Sequence, residues 1–127
     1  MANPPDLRHY AVGATSSGTF GRVLCSARTH HFVADGPAQN GCPGEAITPP
    51  ELFLSGVAAC GVELIEVIAR REDISVGRVD VAIRGTLDKA NPLRQDVMVF
   101  NEVDIDVAIH GVTREEGNHL LARFKAS

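Results

Sequence analysis

The chain is expected to be an α+β protein, on three observations. One long, well-capped apolar helix sits near its middle; the residues before that helix alternate in strand fashion between turn signals; two more alternating segments and a second capped helix follow it.

The first helix is expected over residues 49–71, and its start is specified several times over. Thr48 is a good N-cap, Pro49 suits the first helical position because its missing N–H would be unpaired there, and Glu51 completes a capping box. Ile47 and Leu52 are spaced as a hydrophobic staple. Phe53, Val57, Cys60, Leu64, Val67 and Ile68 then recur at three- and four-residue intervals as one apolar stripe, which puts Cys60 on the face expected to be buried. Gly56 and Gly61 each weaken a helix by roughly 1 kcal/mol relative to alanine, so a close packing partner is expected at both.

Before this helix, residues 10–12 and 20–28 read as strands separated by the Gly/Ser/Thr-rich turn 13–18, and residues 29–34 as a third strand ending at the turn signal Asp35-Gly36-Pro37. A Gly- and Pro-rich loop containing Cys42 leads into the helix. After it, Val79, Val81 and Ile83 alternate with charged residues as a strand with one wet face. Residues 97–100 are expected to open the next strand, which residues 103–110 continue or follow. Thr113 and Glu116 form a second capping box, with Leu120, Leu121 and Phe124 on the apolar side of a helix that runs to the end of the sequence.

Composition narrows the function. With 127 residues, 44% hydrophobic and 22% charged, the chain fits one globular domain, and no apolar run of membrane-spanning length is evident. A net charge of −4, one Tyr and no Trp provide neither the basic patch nor the stacking platform of a nucleic-acid binder. The N-terminus lacks the basic and apolar regions of a secretion signal, so a cytoplasmic protein is expected. Three cysteines, at positions 25, 42 and 60, have no zinc-ligand spacing and cannot all be paired. Adjacent His30 and His31 point to opposite faces of a strand, and Asp104 and Asp106 share a face that reads as solvated; no metal or cofactor is expected. Taken alone, Cys60 reads as an inert core thiol and Glu51 as a cap.

The sequence His31-Phe32-Val33-Ala34-Asp35-Gly36-Pro37, then Thr48-Pro49-Pro50-Glu51-Leu52-Phe53-Leu54, then Ala58-Ala59-Cys60 resembles the OsmC/Ohr family. That resemblance covers most of the chain. It implies an OsmC-like fold, with antiparallel sheets around a central cysteine-bearing helix, in an intertwined homodimer. It also implies a thiol peroxidase acting on organic hydroperoxides in oxidative or osmotic stress defence. Cys60 matches the peroxidatic thiol, which attacks the terminal peroxide oxygen, becomes a sulfenic acid and releases an alcohol. An external thiol is the implied reductant.

The sequence departs from the family pattern in three places. The family's glutamate lies ten residues before the cysteine, where Pro50 stands; Glu51, the weaker site candidate, is one residue off, about 100° around a helix. The family's arginine lies in an N-terminal loop, but residues 14–19 contain none, and Arg8, Arg22 and Arg28 read as solvated charges. The family's second cysteine lies in a Cys-Pro motif after the second helix. Residues 1–127 are therefore expected to form one OsmC-like domain that ends before that motif and the last strand, whether by truncation or because the motif is lacking. Cys42 could stand in as a resolving thiol, though Cys42-Pro43 reads more simply as a turn. The alternative to the peroxidase is an OsmC-fold protein that binds a small apolar molecule or lipid without turning it over.

Overall fold

The computed structural model describes residues 6–94 and 100–126, which fall in two compact units, 1–52 and 53–127. In the first unit, β1 (Gly13–Ser16), β2 (Arg22–Ala27) and β3 (His30–Asp35) form an antiparallel sheet in that order. A two-residue turn joins β2 to β3, and its Arg28 has φ 55°, in the left-handed region that favours glycine. From this turn the register runs to Arg22 opposite Asp35.

The strand expected at 10–12 lies instead at Gly13–Ser16, within the stretch read as a turn, while Tyr10 and Val12 are exposed. An edge strand needs backbone pairing more than apolar side chains. Residues 13–16 are small and pair with Val23–Ser26 of β2. Asp35 also differs from expectation: it ends β3 as a fully buried residue.

Helix α1 (Pro49–Arg71) starts in the first unit, and from Phe53 onward it belongs to the second. There β4 (Arg78–Thr86) pairs antiparallel with β5 (Glu102–His110), followed by α2 (Arg114–Ala126). The strand opening expected at 97–100 lies largely outside the described residues. Ile68 and Ala69 of α1 and Leu120 of α2 form a buried cluster, flanked by Ile74, Val76, Ile109, Val112 and Phe124. Ile65 and Leu120 are fully buried, each worth about 1.5–3 kcal/mol relative to exposure. The reciprocal capping box of α2 is formed: the Thr113 N–H donates to Glu116 Oε1 at 2.9 Å and the Glu116 N–H to Thr113 Oγ1 at 3.1 Å. Past the end of α1, Glu72 accepts from His119 Nε2 at 2.8 Å and lies 3.6 Å from Arg123 Nε, tying α2 to α1.

The buried side of α1 is not the expected stripe. Gly61, Ile65, Ile68 and Ala69 are buried, whereas Phe53, Val57 and Cys60 are exposed. The helix is apolar over two adjacent faces, and the described residues of the second unit cover only one. By length and composition alone α1 is also long and apolar enough to cross a membrane, where no run of membrane-spanning length was expected.

The glycines separate two packing situations. A Cβ at Gly61 would meet Val81 at 3.6 Å and Phe124 at 3.7 Å, ordinary contact distances. At Gly85 it would fall 2.7 Å from the Phe100 ring and 3.1 Å from Leu54. Gly61→Ala is therefore expected to stabilise the protein by about 1 kcal/mol through helix propensity. Gly85→Ala should destabilise it by about 1–3 kcal/mol through overpacking. Urea denaturation of both variants checks the opposite signs.

Candidate functional site

Cys60 occupies the middle of α1 as an exposed free thiol. Its helical neighbours are apolar: Phe53 and Val57 precede it on the same side and are 63% and 39% exposed, and Leu64 follows half-buried. The Phe53 ring lies 6.1 Å from that of Phe100, tilted by 31°, so an aromatic pair marks the N-terminal end of this stripe. A thiol flanked by apolar side chains and open to solvent can meet an apolar reagent directly. The core-thiol reading does not fit this exposure.

Glu51 does not join Cys60. Nine residues along one helix amount to about 13 Å of rise and half a turn of azimuth. Its carboxylate instead holds the start of α1: Glu51 Oε1 accepts from the Thr48 N–H at 3.0 Å and from the Thr48 hydroxyl at 2.7 Å, while the Leu52 N–H donates to Thr48 O at 2.9 Å. The Thr48 hydroxyl, then its N–H, hold the Glu51 carboxyl below its usual range.

Arg22 is not the solvated charge expected. Its Nε and Nη2 grip the buried Asp35 carboxylate at 2.8 and 2.9 Å, and Nη2 also reaches Glu45 at 2.9 Å. Asp35 Oδ2 further accepts the backbone N–H of Glu45 at 3.0 Å and of Ala46 at 2.8 Å, and the Asp35 N–H donates to Ile47 O at 3.0 Å. Six hydrogen bonds thus tie Arg22, Asp35 and residues 45–47, which lead into α1, to one another. The Arg22 guanidinium, against the opposing effect of burial, holds the Asp35 carboxyl well below the usual carboxylate range. A signal for this pair was present: a two-residue turn at 28–29 places residue 22 opposite residue 35.

Cys42 is half-buried, and its sulfur fills a notch between two glycines. A Cβ at Gly21 or Gly36 would fall 2.4 Å from Sγ. The thiol therefore packs the loop into place. Cys25 is half-buried on β2, opposite Phe32 of β3. Among the described residues, no group of three or more His, Cys, Asp or Glu is placed to hold a metal ion.

Residues 42–126 match the family model described as OsmC-like protein. The chain belongs to the OsmC-like family. Solved structures agree on the fold. An OsmC-like protein from Mycoplasma pneumoniae superposes with a TM-score of 0.78 at 17% identity, over 93% of this chain and 81% of that one. An organic hydroperoxide resistance protein OsmC from Legionella pneumophila gives 0.69 at 25% identity, over 96% and 85%. An organic hydroperoxide resistance protein from Elizabethkingia anophelis gives 0.74 at 20%, over 94% and 83%. No curated protein matches the chain.

Within the OsmC-like fold, the α+β arrangement of antiparallel sheets and two helices is as the sequence implied. Of the residues singled out there, Cys60 is open to chemistry, Glu51 is engaged in a cap, and Arg22 is engaged with two carboxylates.

Asp35 carries a pH signature. Its folded carboxyl titrates below the unfolded one, so its contribution is present above the ordinary aspartate range near 3.8 and is lost as pH falls through the acid range. Asp35→Asn should lower the denaturation midpoint at pH 7 and flatten its decline between about pH 5 and 2. Asp6→Asn, at an exposed pair with Arg8, should do neither. Urea titrations across pH compare the two.

Proposed function

We propose that this OsmC-like protein is a thiol-dependent peroxidase of organic hydroperoxides with Cys60 as its nucleophile. The observation that carries this reading is the exposed Cys60 thiol set in an apolar stripe on α1. The Cys60 thiolate attacks the terminal oxygen of R–O–O–H. An S–O bond forms, the O–O bond breaks, and the alkoxide leaves with a proton as R–OH, so Cys60 becomes a sulfenic acid. Two equivalents of an external thiol return it to the thiol, giving one disulfide and one water. Three free thiols among the described residues fit a reducing compartment such as the cytoplasm.

The uncovered face of α1 supports a homodimer in which a second copy buries part of the stripe, making the cysteine-bearing helix central to the assembly. Glu63, Glu66 and Arg70 on the polar side of α1 make a membrane a poor alternative cover. Glu51 serves as a helix cap in this reading, and no cofactor is needed.

One observation favours a second reading, a non-catalytic protein that binds a small apolar molecule or lipid at the same stripe. Arg22 is held by Asp35 and Glu45, so it is not a free cation for the thiol. Cumene hydroperoxide separates the readings. Wild-type protein should consume it with a sulfenic-acid trap captured at Cys60, and Cys60→Ser should abolish consumption while keeping its far-ultraviolet circular dichroism. A Cys60 thiol that survives one equivalent of peroxide would leave only the binding protein. Size-exclusion chromatography with light scattering should give a dimer, and Val57→Glu on the exposed stripe should shift it toward monomer.

A further inference from the structure

The loop of residues 36–46 carries the dipeptide Asn40-Gly41, and Asn40 is the one asparagine in the sequence that precedes a glycine. An asparagine carboxamide is open to attack by the backbone nitrogen of the next residue. The attack is easiest where that residue has no side chain to obstruct it and a backbone that turns readily, as glycine does. Asn3 and Asn91 precede prolines, whose nitrogen has no proton to give up. The carboxamide of Asn101 is held at both ends: its Oδ1 accepts the Asp88 N–H at 2.8 Å and its Nδ2 donates to Asn91 O at 2.7 Å. Asn118 lies within α2, where the N–H of the following residue is committed to the helix.

Asn40 is less restrained. It is exposed, and among the described residues its carboxamide has no hydrogen-bond partner. Gly41 is exposed too, has φ 80°, and a Cβ built there meets no atom within 4 Å. A single contact guards its nitrogen: the Gly41 N–H donates to Ala38 O at 2.9 Å, closing the short 3₁₀ turn Ala38–Asn40. One turn of this kind has poor hydrogen-bond geometry and opens locally, without unfolding of the sheet.

We propose that Asn40 is a self-modifying site, a covalent timer on the loop that seats Cys42. The Gly41 nitrogen bonds to Asn40 Cγ, the bond from Cγ to the carboxamide nitrogen breaks, and that nitrogen leaves as ammonia with the proton from Gly41. The succinimide takes up a water and opens to aspartate or, at its other carbonyl, to isoaspartate; no oxidant or cofactor takes part. Isoaspartate routes the main chain through the side-chain methylene and so lengthens it just before Cys42. Cys42 has little latitude: its Sγ lies 4.0 Å from Asn40 O and fills the notch between Gly21 and Gly36, the chain neighbours of Arg22 and Asp35. The longer chain cannot keep both the turn and the sulfur in place, so Cys42 leaves its seat. Neither step involves Cys60.

The test ages the folded protein in mildly alkaline buffer and maps its peptides by mass, with isoaspartate read by enzymatic carboxyl methylation. Asn40 should gain the mass of an amide-to-acid conversion and become a methyl acceptor, while Asn91, Asn101 and Asn118 stay amides. Asn40→Gln, which would have to close a larger ring, should lose both signals. In the aged protein Cys42 should be alkylated several-fold faster than in fresh protein, and the urea midpoint should fall. Fresh Asn40→Asp, which adds the charge without lengthening the chain, should match fresh wild type in both. An Asn40 that stays an amide in the folded protein, while a free peptide of residues 36–46 converts in the same buffer, overturns the proposal and makes the turn its protection. Conversion to isoaspartate with Cys42 as slow to react as before overturns the timer.

Discussion

The width of the apolar arc on α1 governs the second unit. Successive residues on a helix are about 100° apart, so Cys60 and Gly61 address different surroundings. Gly61 is buried against Val81 of β4 and Phe124 of α2. That contact turns the preceding residue outward, and the thiol is exposed because its neighbour is packed. The latch of Glu72 to His119 and Arg123 fixes α2 in turn, and with it the ring that closes on Gly61. Exposure of the Cys60 thiol is thus a consequence of core packing on the adjacent face.

The first unit solves a different problem, that of delivering the chain to the start of α1 in one conformation. A loop of residues 36–46, rich in Gly and Pro, has little apolar surface with which to order itself. It is held at its end by Asp35, whose buried charge has an arginine fork and two backbone N–H groups around it. A buried carboxylate with a full set of donors contributes geometry more surely than net stability. The Cys42 sulfur between Gly21 and Gly36 secures the loop at a second point. The Thr48 and Glu51 cap begins immediately after this clamp.

What was legible in the sequence followed from local rules. Both capped helices and the strand at 78–86 lie where capping residues and alternation put them, and β2 and β3 fall within a residue or two of the two strands expected at 20–28 and 29–34. The strand at 13–16 was not legible, because its partner supplies the hydrogen bonds and its small side chains carry no alternation. The identity of the buried face of α1 was not legible either. A stripe through Phe53, Val57 and Cys60 and one through Gly61, Ile65 and Ile68 have equally good helical spacing, and only the sheet that packs on the helix chooses between them. Arg22 with Asp35 was half legible: the hairpin register pairs them, but residue type at a turn signal suggested solvent.

The candidate site is smaller than the family pattern. Identities of 17–25% to solved OsmC-like structures establish the fold, while activity depends on the groups around the sulfur. In this chain Pro50 stands where an acid is expected, Glu51 holds Thr48, and Arg22 holds Asp35 and Glu45. What remains at the thiol is an apolar surface and an open approach. Those features suit contact with an apolar reagent. They do not by themselves lower the pKa of a thiol, which requires a cation or hydrogen-bond donors close to sulfur. Glu51 and Arg22, each already engaged elsewhere, are not placed to give that assistance.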